Sequence, residues 1–320
     1  MNAKILDKLL DLIRDDKLGA IILLLILLII SVINIFIYRN NKRFQKIYNR
    51  VSNFFPWVKK ENVVLATFSK HIAVYDKILE PYLLNGCLVI KEDYREKFNR
   101  DGSIDIKNLC AIKEKKEESL KKARKRMKNE NSLIYLGFPH VPFAFRDGYL
   151  FTDVDDVTLY EYQGKDSEYL RKGFFELRKE YNSDLKIHSD YLDKSISSNE
   201  IALKIEQSFP ISNREIEDTI GAKDIITIAV DNVERWGITS YAQIDLYQKK
   251  LREVLKWAKE KQIEKIHIFA TTPVTLSFSL GRIIQHYDCD IIVYNYNSGK
   301  FDWKINLKVG KIGFVNNNVI

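Results

Sequence analysis

Three cysteines in 320 residues, at positions 87, 110 and 289, with no two in C-x-x-C spacing, exclude a disulfide framework and a thiolate zinc site. A reducing compartment fits, and the thiols are expected to be inert core side chains, since free cysteine behaves as a small buried hydrophobe. The chain also lacks G-x-x-x-x-G-K-[ST], G-x-S-x-G and H-E-x-x-H, so neither a P-loop, a hydrolase elbow nor a zincin helix is signalled. No charge sign dominates strongly. The 51 Lys+Arg against 43 Asp+Glu leave +8, which suits an anionic partner such as phosphate, nucleotide or lipid headgroup without singling one out. With 46% hydrophobic, 29% charged and 12% aromatic residues, most of the chain should fold.

From residue 18 to residue 38 charge is missing altogether. At ~1.5 Å per residue a helix of that length spans about 31 Å, the thickness of a bilayer's hydrocarbon core. The stretch runs through Ser31 and Asn34 into Ile35, Phe36 and Ile37 without a small-residue cleavage site, so it is read as a transmembrane helix and not as a secretory signal. Residues 39–60 carry seven basic and no acidic side chains, whereas residues 1–17 carry four of each. That bias puts the C-terminal part in the cytoplasm of a single-pass protein of the inner (cell) membrane. Residues 1–17 place Ile5, Leu9, Leu12 and Ile13 at helical spacing and read as an amphipathic segment at the interface. Residues 39–60, with Tyr48, Phe54, Phe55 and Trp57, read as a basic juxtamembrane stem, or as aromatics that cap the folded domain.

Beyond the stem, strand-like runs at 63–68, 88–90, 133–137, 157–162, 201–209, 225–230, 266–270 and 291–296 alternate with helical stretches at 114–128 and 241–262, the pattern of an open α/β sheet. The mixed-charge run at 113–128 is read as the solvated face of a flanking helix, and the turn holding Asp153, Asp155 and Asp156 as solvated, not metal-binding.

The most informative pattern is a repeat. IYLGFPHVPFAFRDGYLFTDVDDVTLYEYQGK (134–165) and IHIFATTPVTLSFSLGRIIQHYDCDIIVYNYNSGK (266–300) share a strand, a short loop, Pro, a helix containing Gly, an acidic turn and a strand ending Tyr-x-Tyr. Each resembles the part of a Rossmann-like fold where a strand's C-terminal end feeds a helix N-terminus, the place where such sheets take up ligands. Pro273 suits the first helical position and Thr272 the N-cap before it, with Pro142, preceded by His140, as the counterpart. A helix N-terminus lined by Thr271 and Thr272, with no carboxylate nearby, is expected to hold phosphate oxygens. Gly148 and Gly281 inside the helices point to close approach of backbone or ligand.

These residues carry a resemblance to the SAVED domain, the sensor of bacterial anti-phage CBASS systems. It is strongest over IHIFATTPVTLSFSLGRII with the following IIVYNY. LGFPHVPFAFRDGYLF, IALKIEQSFPIS (201–212) and IITIAVDNVERWGI (225–238) extend it. The resemblance implies an α/β fold of two fused CARF-like, Rossmann-like halves, at 61–165 and 166–320, behind the N-terminal transmembrane α-helix. It further implies binding of a cyclic oligonucleotide made by a partner nucleotidyltransferase, ligand-induced homo-oligomerisation, and no cofactor, metal or DNA. With a membrane helix as the attached module, the chain is similar to membrane effectors that disrupt the bilayer in abortive infection. The pocket it implies comprises Phe138, His140 and Pro142 in one half, Thr271, Thr272 and Pro273 in the other, and Ser208 and Phe209 between. Phe209 either stacks on a base or belongs to the core. His140 either bonds the ligand or is structural. The alternatives are a membrane-bound enzyme that cleaves a cyclic oligonucleotide and a scaffold that recruits partners.

Overall fold

The parallel strands are rich in Val, Ile and Leu because both their faces are covered. Val63–Phe68 is buried at every position. The computed structural model describes residues 62–70, 79, 87–127, 132–151, 156–162, 174–180, 182–234 and 237–315, all within one compact unit. The amphipathic segment, the apolar span at 18–38, the basic stem, and Asp153 and Asp155 lie outside the described residues. Among the described residues no helix is long and apolar enough to cross a membrane.

Two sheets form. The first contains β1 (Val63–Phe68), β2 (Leu88–Asp93), β3 (Leu133–Phe138), β4 (Val157–Tyr162) and β5 (Phe174–Glu176) in the order β2-β1-β3-β4-β5. The second contains β6 (Ile187–Ser189), β7 (Glu200–Glu206), β8 (Asp224–Val230), β9 (Lys265–Thr271), β10 (Asp290–Asn297), β11 (Lys300–Asn306) and β12 (Ile312–Phe314) in the order β12-β11-β10-β9-β7-β8-β6. Four parallel strands run β2-β1-β3-β4 in one and β8-β7-β9-β10 in the other, so the halves repeat one plan. Antiparallel strands close both edges of the second sheet and the β5 edge of the first. β5, past residue 165, pairs with β4 in the first sheet.

The helices are α1 (Ile106–Met127), α2 (Val141–Leu150), α3 (Asn213–Ile220), α4 (Tyr241–Glu260) and α5 (Val274–Ile283). α4 starts at a capping box between Ser240 and Gln243 and buries Ile244, Tyr247, Leu251, Val254, Leu255 and Ala258, the face its periodicity predicts. α1 corrects one expectation: within its charged run Lys116 is only 3% exposed, held by Glu92 and Asp147.

α2 and α5, the helices of the repeat, pack on one another through their glycines. A Cβ on Gly148 would stand 1.8 Å from the carbonyl oxygen of Phe278, and one on Gly281 would stand 2.1 Å from that of Phe145. The contact is reciprocal: each glycine faces the residue three places before the other. It allows the backbones to approach more closely than any side chain permits. Tyr135 of β3 stacks on Phe278 of α5 at 3.9 Å between ring centroids, joining the halves in one core.

Candidate functional site

The strand order reverses between β1 and β3 in the first half and between β7 and β9 in the second, and there the chain leaves the sheet beside the start of a helix. After β1, the N–H groups of Ser69 and Lys70 donate to the carbonyl of Phe138 at 3.3 and 3.1 Å. After β7, the N–H of Ser208 donates to the carbonyl of Thr271 at 2.8 Å. Both reversals open into a single cleft of about 200 Å³.

Six of the eight predicted residues line it: Phe138, Ser208, Phe209, Thr271, Thr272 and Pro273. Thr271 Oγ1 donates to the carbonyl of Phe209 at 2.5 Å, fixing the loop that carries the ring. Phe209 is 40% exposed, with Tyr296 beside it at 5.5 Å between ring centroids, so it belongs to the cleft surface. Tyr296 is held in turn by its hydroxyl, which donates to Glu215 of α3 at 2.9 Å. Phe138 rests against Tyr162 at 5.2 Å, with Lys70 Nζ 5.8 Å from its ring.

His140 and Pro142 are not among the lining residues. His140 Nδ1 meets Ser69 Oγ at 2.6 Å, and its backbone N–H donates to the same oxygen at 2.8 Å. The ring stacks on Phe98 at 4.3 Å and turns an edge to Trp303. Burial, helped by the nearby positive Lys70, pushes its pKa well below the usual imidazole range, so the ring is neutral. Pro142 is buried in the first turn of α2. Since α2 starts at Val141 and α5 at Val274, the counterpart of Pro273 is His140, and that of Pro142 is Thr275.

The expected phosphate cradle is also corrected. Pro273 is the N-cap residue of α5 and not its first helical residue, and the Thr272 hydroxyl pairs with Ser277 Oγ at 2.8 Å instead of capping the helix. The helix end is taken by a carboxylate of the protein itself. Glu161 Oε2, from β4, accepts the Thr275 N–H at 2.9 Å and the Thr275 hydroxyl at 2.5 Å, and the Val274 N–H also reaches this carboxylate. Oε1 accepts the Tyr162 N–H at 3.1 Å. Burial raises the pKa of Glu161 against the pull of these hydrogen bonds.

Glu161 and Asn295 are the middle residues of the two Tyr-x-Tyr endings, and both line the cleft. Pairing register makes them counterparts, because Tyr160 pairs with Leu136 as Tyr294 pairs with Phe269. Lys70, Ser277 and Tyr296 also line the cleft without having been predicted as ligand contacts. The repeated Tyr-x-Tyr was the signal that would have found Glu161, Asn295 and Tyr296. The cysteines are half-buried, not core, and unbridged, and burial, with Asp288 beside it, pushes the Cys289 thiol up to about 11. Among the described residues no group of His, Cys, Asp and Glu is arranged to hold a metal ion. The cleft is lined by an aromatic shelf, hydroxyl oxygens whose protons are engaged within the protein, and a lysine, and it spans both halves.

A family model described as the "SMODS-associated and fused to various effectors sensor domain" matches residues 117–307. Among solved structures, the chain is similar to the Acinetobacter baumannii Cap4 SAVED/CARF-domain containing receptor with the cyclic trinucleotide 2'3'3'-cAAA. The identity is 13% and the TM-score 0.51, over 80% of this chain and 52% of that one. The Moraxella osloensis Cap4 SAVED/CARF-domain containing receptor matches at 12% identity and a TM-score of 0.44, over 81% of this chain and 52% of that one. The chain thus spans about half the length of the receptors it matches, and at 13% identity the likeness to the Acinetobacter baumannii receptor is one of fold. No curated protein matches the chain.

Proposed function

This chain belongs to the SAVED family of sensor domains, and from that premise we propose that its cleft binds a cyclic oligonucleotide second messenger. The observation that carries the proposal is the convergence of both strand-order reversals on one cleft with Phe209 and Tyr296 at its surface. Bases stack on such rings at about 1–3 kcal/mol each with little regard to identity. The Acinetobacter baumannii receptor of similar fold, seen with a cyclic trinucleotide, supports the same ligand class.

The rest of the proposal draws on sequence. The uncharged stretch at 18–38 anchors the chain in the cell membrane with the sensor domain in the cytoplasm. Ligand made by a partner nucleotidyltransferase gathers chains into a homo-oligomer, and the clustered anchors compromise the bilayer, ending the infected cell in anti-phage defence. The chain acts as a sensor and effector, without cofactor or metal, and returns its ligand unchanged.

The test is titration of cyclic di-, tri- and tetranucleotides into the full-length chain, followed by chromatography of the recovered ligand. Micromolar or tighter binding of at least one, recovered intact, is expected. Phe209→Ala should weaken that binding about tenfold by removing one stacking surface. Absence of binding across the panel would falsify the proposal, and cleavage would make the chain an enzyme.

A further inference from the structure

Glu161 is 1% exposed, yet it lines the cleft and seats its carboxylate on the first N–H groups of α5. A helix N-terminus carries partial positive charge and unpaired donors, so it attracts anions. Here a built-in anion has taken that place: Thr275 supplies two hydrogen bonds to one oxygen, and Tyr162 occupies the other. The equivalent position in the second half is Asn295, which is neutral and donates to Asp302 at 2.9 Å. One end of the cleft is therefore lined by a buried carboxylate where its counterpart is lined by a neutral amide.

We propose that Glu161 is a specificity-determining residue of the cleft: it bars phosphate from the N-terminal turn of α5, so that a neutral part of the ligand, base or sugar, faces that end. The proposal rests on the cyclic-oligonucleotide reading for its ligand and on geometry for its mechanism. A phosphodiester brought to α5 would find both Thr275 donors already used and a like charge buried beside them. Like charges at short range in a partly dry cleft repel far more than in water. Bases and riboses bring no charge and are tolerated there.

Inorganic pyrophosphate titrated into full-length wild type and Glu161→Gln is the test, with melting temperatures measured alongside. Removing the charge while keeping the shape is expected to tighten pyrophosphate binding about tenfold. Equal or weaker binding by the variant overturns the proposal, because a merely structural cap would move the melting temperature and leave anion affinity alone. Should Glu161→Gln not fold, Glu161→Ala removes the same charge and is judged by the same two outcomes. Pyrophosphate also separates this proposal from the ligand reading. If no cyclic oligonucleotide binds either chain, the ligand reading falls, while tighter pyrophosphate binding still upholds exclusion of anions.

Discussion

The two halves share a strand order and differ in what that order buries. At one register position β1 pairs Thr67 with Glu92 of β2, while β7 pairs Ile205 with Ile228 of β8. On the helices above, Asp147 of α2 corresponds to Leu280 of α5. The first half thus holds a buried ionic cluster where the second is aliphatic. Lys116 Nζ lies 2.7 Å from Glu92 and 2.6 Å from Asp147, Thr67 donates to Glu92 at 2.9 Å, and the Tyr135 hydroxyl donates to Asp147 at 3.0 Å. Two carboxylates share one ammonium. Burial, opposed by Lys116 and reinforced by Glu92, pushes Asp147 up to about 7. A common backbone plan fixes where side chains meet and leaves open whether they meet as ions or as oil.

The largest expected effect breaks that comparison outright. Lys116→Met leaves two buried carboxylates unpaired and should cost about 3–5 kcal/mol in denaturant unfolding, as loss of a partner from a buried ion pair does. Replacing Lys116, Glu92 and Asp147 by Met, Ile and Leu, together with Thr67→Ile and Tyr135→Phe so that no buried hydroxyl loses its acceptor, gives the first half the second's chemistry and should be neutral or stabilising by up to about 4 kcal/mol. Instability of that combined variant would mean the cluster holds α1, β2 and α2 in place in a way an aliphatic core does not.

A smaller effect tests where the halves are equivalent. Gly148→Ala and Gly281→Ala each drive a methyl into a carbonyl of the opposite helix, and should each cost about 1–3 kcal/mol by overpacking. Similar losses in melting temperature would support a symmetric crossing. A loss confined to one would show that a single helix carries the strain.

The smallest is the part of the pH dependence that the first half's ionic cluster contributes. A carboxyl whose folded pKa is raised binds more protons folded than unfolded between its ordinary value near 4 and about 7. Stability should therefore fall as pH rises through that window. Asp147→Asn should flatten the decline in melting temperature between pH 5 and 8 relative to wild type. Glu161, Asp245 and Asp302, also raised by burial, remain in both chains and cancel in the difference. An unchanged slope would assign the cluster's proton elsewhere.

Much of this architecture is legible in the chain. Runs of branched apolar residues mark the parallel strands, the face of α4 follows from its period, and the paired glycines with Tyr-x-Tyr endings mark the repeat. Phe138, Ser208, Phe209, Thr271, Thr272 and Pro273 reach one cleft because they end strands at the two reversals, a matter of order along the chain. The resemblance implies His140 as a ligand contact because it lies in the loop that ends β3, whereas the structure leaves it out of the cleft lining. Nothing local announces that Ser69, 71 residues earlier, holds its ring against Phe98.

The amino-acid sequence by itself determined the alternation of strands and helices, the doubling of the plan and the residues that end its strands, since propensity, period and turn chemistry act over a few neighbouring residues. Only the tertiary structure decided that Glu161 would sit on the first turn of α5 from 114 positions away, that Lys116 would be buried, and that two glycines would each receive the other helix's carbonyl. A helix end or a charge is satisfied by whichever partner folding brings within hydrogen-bond reach, and that partner need not be near in sequence.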